Sequence, residues 1–246
     1  MISFAEQRPR SSFLRSNAPF LQNLVKMLLN MISLISDNED WNKGAEYDKE
    51  DEAALTASIF LDRLALAVHS NITPILFQNG IVQEMISSEN WKERHAALTA
   101  IAVTGEGCFD SLKDNLKDVI DIILHSFSDP NVRVRWSAIH TIGQLSTDFA
   151  PLFQERFHQQ ILPVISTGMK DDANPRIQSV SAEATINFCS ETNPELMRPY
   201  LEKLMNNIMY LLSTKHEAIT SAAITATASI ADSVKSDFIP VCTCCM

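Results

Sequence analysis

The chain has 246 residues, enough for one large domain or two small ones and for a substantial core. Its 46% apolar and 20% charged residues describe a folded protein, and only six glycines argue against a turn-rich all-β fold or a glycine-rich phosphate loop. A net charge of -10 makes nucleic acid and anionic membrane poor electrostatic partners and a basic protein a good one.

In chain order, residues 1–19 form a poorly defined N-terminal segment with Arg8, Arg10 and Arg15 but no apolar run ending in a cleavage site. Helical spacing then predicts helices over 20–36 and 53–70. Leu21, Leu24, Leu28 and Ile32 are expected to lie open on the first of these, so that the chain self-associates. Between the two helices, residues 37–52 hold eight acids against two bases, which is six of the ten net negative charges. Further pairs are predicted over 72–87 and 89–104, 112–128 and 131–147, 153–169 and 174–190, and 195–213 and 216–234. Gly105-Glu-Gly107 reads as a turn that ends the helix over 89–104. Cys108 and Cys189 fall in helical patterns as packing residues, and 241–246, with Cys242, Cys244 and Cys245, reads as a frayed tail. Apolar runs stay well short of the ~20 residues that cross a bilayer.

The pairs repeat. Trp91-Lys-Glu-Arg94 aligns with Val132-Arg-Val-Arg135 and Pro175-Arg-Ile-Gln178, and Thr220 follows, giving spacings of 41, 43 and 42 residues. Such periods fall in the window of about 40–47 for HEAT and armadillo repeats. The turns carry Asp129-Pro130 and Asp171-Asp172-Ala-Asn-Pro175, where Asp is expected to cap and Pro to open a helix. Asp129 lies six residues before Arg135, and Asp172 six before Gln178, while Ser88 takes that place before Arg94. These positions are expected to form a structural ladder, with Arg133 more exposed than Arg135. The fold class is all-α, a right-handed α-solenoid of about five HEAT-type helical pairs over 20–240.

The middle repeats of the karyopherin-β (importin-β) nuclear transport receptors, in particular the importin-beta-three class, resemble this chain. The resemblance is carried by Glu39-Asp-Trp41, Asn90-Trp-Lys-Glu-Arg-His-Ala-Ala-Leu98, Gly105-Glu-Gly-Cys108, Asp129-Pro-Asn-Val-Arg-Val-Arg135 and Gly143-Gln-Leu-Ser-Thr-Asp-Phe-Ala-Pro151. It extends through Ile186-Asn-Phe188 and Tyr200-Leu-Glu-Lys-Leu204. It implies nuclear import, with basic cargo, Ran and phenylalanine-glycine nucleoporins as partners, and shuttling between cytoplasm and nucleus through the pore. Family members have roughly twenty repeats and this chain about five.

No catalytic reading competes. The six histidines form no H-x-x-x-H, no G-x-S-x-G or Walker sequence occurs, and neither cofactor nor metal is expected. The acidic segment is either a solvated spacer or a contact for a basic partner. Its candidates are Asp37, Glu39, Asp40, Trp41, Glu46, Asp48, Glu50, Asp51 and Glu52. By resemblance, such a loop contacts Ran or basic cargo. On the second helices, Trp91 and Trp136 suit packing or contact with a partner on the concave face. Glu183 and Asn187, four apart and turned from Val180, Ala184 and Phe188, suit lysine and the backbone of an extended peptide. The rival is a non-transport HEAT scaffold of the phosphatase-regulatory-subunit type, whose uniform repeats of about 39 residues lack an acidic insertion.

Overall fold

The computed structural model describes residues 12–37, 41, 52–235 and 238. Every regular element among the described residues is helical. They divide into two compact units, and the division falls within one helix.

The first unit holds described residues 12–37 and 52–137. Its helices are α1 (Ser12–Ser16), α2 (Ala18–Ile32), α3 (Glu52–Val68), α4 (Ile81–Ile86), α5 (Trp91–Leu112), α6 (Leu116–Ser126) and the start of α7 (Val132–Asp148). α2 and α3 make the first pair, and α3 packs on α5. Asn17 starts α2 by accepting the Phe20 N–H at 3.2 Å. Leu21, Leu28 and Ile32 are buried and Leu24 is half-buried, contrary to the open face expected of them. The exposed apolar side chains there are Met27 and Leu34 instead, because Leu21, Val25, Leu28 and Ile32 share the stripe that meets α3. Residues Glu52–Asn71 have the length and mean hydropathy, 1.2, of a membrane span. Their apolar stripe of Ala57, Leu61, Leu64, Ala65 and Val68 is nonetheless spent in this packing.

Two predicted elements differ here. The helix expected over 72–87 is broken into a wide turn at Pro74–Gln78 and α4, with Gly80 between them at φ +76°. A residue with no Cβ adopts that left-handed backbone without strain. The helix expected to end near residue 104 runs to Leu112, so Gly105 and Gly107 lie inside it. Gly107 faces α3: a Cβ there would sit 2.5 Å from the Ala65 carbonyl carbon. Glycine serves close helix approach at this point rather than helix termination.

The second unit holds Trp41, the rest of α7, α8 (Leu152–Gly168), α9 (Pro175–Ser190), α10 (Pro194–Met197), α11 (Leu201–Ser213) and α12 (Glu217–Val234). α9 packs on α12 and α8, and α11 on α12. Phe149, Phe153 and Phe188 are fully buried, with the Phe153 and Phe188 rings edge-on at 6.3 Å. The helix predicted over 195–213 arrives in pieces, α10, a 3₁₀ turn at Arg198–Tyr200 and α11. Pro199, in the middle of that turn, has no N–H to donate to a continuous ladder. Buried polar groups join neighbouring helices. The Asn207 amide donates to the Ser166 carbonyl at 3.1 Å, and the Gln154 amide to that of Ser146 at 2.7 Å.

Candidate functional site

The second helices α5, α7 and α9 open alike. Asn90 and Asn131 accept the N–H groups of Lys92 and Arg133 at 3.1 and 2.9 Å, so Asn, rather than the expected Asp129, caps α7. Four residues after that asparagine register, a long polar side chain folds back to close the turn. Arg94 donates to the carbonyls of Ser88 and Glu89 at 2.8 and 3.0 Å. Arg135 does the same to Asp129 and Pro130 at 2.9 and 3.2 Å. Gln178 donates to the Met169 carbonyl at 3.4 Å and to the Asp172 carboxylate at 3.1 Å. The six-residue offset is thus a local turn-closing device.

The Asp129 carboxylate goes elsewhere. It takes a two-point bond from Arg94, 35 residues earlier, at 2.6 and 2.9 Å, and accepts the Asn131 N–H at 2.8 Å. Both side chains are largely withdrawn from water. Burial pushes the Asp129 carboxyl up. The bonds from Arg94 and Asn131, with the charges of Arg94 and Arg135, outweigh that and hold it below the usual carboxylate range. Asp172 also accepts the Tyr210 hydroxyl, which joins α11 to the turn before α9.

The acidic segment is visible at its edges. Asp37 lies 3.6 Å from Lys92 in an exposed ion pair, and the Ser36 carbonyl accepts from Arg133 at 2.8 Å. Trp41 is buried, with the Arg176 guanidinium 4.6 Å from its ring centroid. Glu52 is exposed on the first turn of α3. Glu39, Asp40, Glu46, Asp48, Glu50 and Asp51 lie outside the described residues. Arg133, expected to be exposed, is 8% exposed. It bonds Ser36 and lies 5.4 Å from the centroid of Trp91, because the first turn of α7 faces the residues that follow α2.

Trp91 and Trp136 are half-buried, and Trp91 meets Lys92, Arg133 and the His95 ring. Glu183 reaches solvent and accepts the Ser179 hydroxyl at 3.2 Å. The protein mass around it nevertheless desolvates its carboxyl and raises it, with the Ser179 bond opposing. Asn187, read as a peptide ligand, spends its amide N–H on the Gly143 carbonyl at 3.2 Å, which leaves only its oxygen for another molecule. Sequence reading passed over Lys92, Arg133 and Arg176. The signal was present: each stands two residues before Arg94, Arg135 or Gln178 in its repeat.

Helical pairs at this period, with one register position closing successive turns, define a HEAT-repeat protein. A family model described as a HEAT-like repeat matches residues 91–145, and one described as an importin repeat matches 1–72. Importin subunit beta-3 of Saccharomyces cerevisiae is 32% identical over 242 residues, covering 96% of this chain and 22% of that protein. The crystal structure of Kap121p bound to Pho4p superposes with a TM-score of 0.91 at 32% identity, covering 97% of this chain and 24% of that one. Kap121p bound to Nup53p gives a TM-score of 0.92 at 31% identity, over 100% and 24%. The chain belongs to the karyopherin-β (importin-β) family. It spans less than a quarter of the length of these relatives.

Proposed function

We propose that this chain works in nuclear import, where it takes up lysine-rich signal segments of basic cargo by shape and charge rather than by catalysis. The observation that carries the reading is the match to an importin subunit across 96% of the chain. The charge supports it, since residues 37–52 concentrate negative charge that attracts a basic segment from a distance. Glu183 adds a water-accessible carboxylate on α9 for a lysine, and the free oxygen of Asn187 accepts a peptide N–H beside it. The half-buried ring of Trp136 offers an apolar surface for the stem of a long side chain. Kap121p has been crystallised bound to Pho4p and to Nup53p, which supports protein segments and a nucleoporin as partners, with Ran as a further one. The proposed location is cytoplasm and nucleus, with passage through the pore.

The test is titration of a labelled lysine-rich peptide with the 246-residue chain at several salt concentrations. Affinity is expected to fall at least about tenfold between about 50 and 300 mM salt, as screening shortens the reach of the insertion's charge. Replacing Asp48, Glu50, Asp51 and Glu52 by Asn or Gln should flatten that dependence. Glu183→Gln should raise the off-rate instead, because a close contact is lost. Absence of binding at low salt would overturn the import reading in favour of a HEAT scaffold.

A further inference from the structure

The position two residues before the turn-closing side chain holds a cation in three successive repeats, Lys92, Arg133 and Arg176. In all three it touches the stretch where the acidic insertion leaves α2. Within the first unit, Lys92 pairs with Asp37 at 3.6 Å, and Arg133 donates to the Ser36 carbonyl at 2.8 Å while lying against Trp91. Within the second unit, Arg176 lies 4.6 Å from the ring centroid of Trp41, which is 3% exposed. The three contacts use different chemistry, an ion pair, a charged donor on a carbonyl and a cation on an aromatic face. No local helix requirement explains them. A cation in the first turn of a helix opposes the macrodipole, and three successive second helices carry one there.

We infer that Lys92, Arg133 and Arg176 form a clasp for residues 36–41, one cation per repeat, which fixes the base of the acidic insertion to the second helices. These are positioning residues. They act on a partner only through the acidic segment that they hold, so their consequence for binding rests on the import reading, while the clasp itself does not. The contacts differ in strength. The Lys92 pair is exposed and screened by salt, whereas Arg133 and Arg176 act on largely desolvated groups. The clasp therefore keeps its hold at Arg133 and Arg176 when salt releases Lys92.

Hydrogen–deuterium exchange of the whole chain tests this. In Arg133→Ala and Arg176→Ala, the peptide covering 34–42 should exchange at least about tenfold faster, with protection in α5, α7 and α9 retained. Lys92→Ala should give a smaller increase, which 0.5 M salt reproduces in the unaltered chain. Unchanged exchange of that peptide in both arginine variants would overturn the clasp. Should an arginine variant lose protection in the helices as well, Trp41→Ala decides: it removes the insertion's side of the contact, and faster exchange confined to 34–42 supports the clasp while unchanged exchange refutes it. Lysine-rich peptide on-rates measured on the same variants separate the two proposals. A released insertion with unaltered on-rates keeps the clasp and removes the steering role of the insertion.

Discussion

At the scale of single residues, Asp129 and its neighbours show how one offset in sequence serves two bonds. Arg135 closes its own turn through carbonyl oxygens, while the carboxylate of Asp129 is claimed by Arg94 of the preceding repeat. Arg94→Ala strips a largely buried carboxylate of its partner and should cost about 2–4 kcal/mol. Arg135→Ala loses two bonds to backbone and should cost about 1–2 kcal/mol. Equal urea midpoints for the two variants would contradict this ranking. The Asp129 carboxyl is held below its ordinary value, so its contribution is complete above the unfolded carboxylate range and disappears as pH falls through the lower folded value. The gap between the parent chain and Arg94→Ala should therefore be flat from neutral pH down to about pH 5 and shrink under stronger acid, as urea unfolding at a series of pH values would reveal.

At the scale of elements, small residues decide how closely helices approach. Gly107 of α5 has no room for a Cβ against the backbone of Ala65 in α3, at 2.5 Å. Gly143 of α7 would place one 3.3 Å from the Cα of Ala184 in α9, a contact that a small shift relieves. Glycine inside a helix already costs about 1 kcal/mol relative to alanine, so the close approach has to offset that. Gly107→Ala should lower stability by about 2–3 kcal/mol, because the helices must part or bend. Gly143→Ala should stay within about 1 kcal/mol of the parent, the gain in helix propensity offsetting the crowding. Thermal unfolding followed by circular dichroism distinguishes the pair, and a stable Gly107→Ala would show that α3 and α5 can separate freely.

At the scale of the whole molecule, what matters is which apolar surface faces water. Phe13, Met27 and Leu34 are about half exposed or more, with Leu55 and Ile59 likewise on α3. Exposed apolar side chains of this size favour association. Light scattering at micromolar concentration should show concentration-dependent association, and Met27→Lys with Leu34→Lys should reduce it without lowering the melting temperature. The double substitution is harmless to the core because the stripe that meets α3 is Leu21, Val25, Leu28 and Ile32. A monodisperse parent chain would remove the prediction.

The sequence alone determined the helical class, the pairing and the register. Apolar spacing along one helix and the return of Arg94, Arg135 and Gln178 at nearly constant distance are local or periodic signals that need no partner to be read. It also located the acidic insertion, because charge is additive along the chain. It misjudged Gly105-Glu-Gly107, since glycine as a helix end and glycine as a helix contact look alike until Ala65 is seen opposite Gly107. Arg133 was misjudged for the same kind of reason: its burial depends on Ser36, 97 residues away. Asn187 looked free to bind a peptide until the Gly143 carbonyl appeared beneath its amide. Contacts between residues far apart in the chain decided how each charge and amide is used, because a hydrogen-bonding group is committed only when its partner arrives, and that arrival is a property of the packed helices.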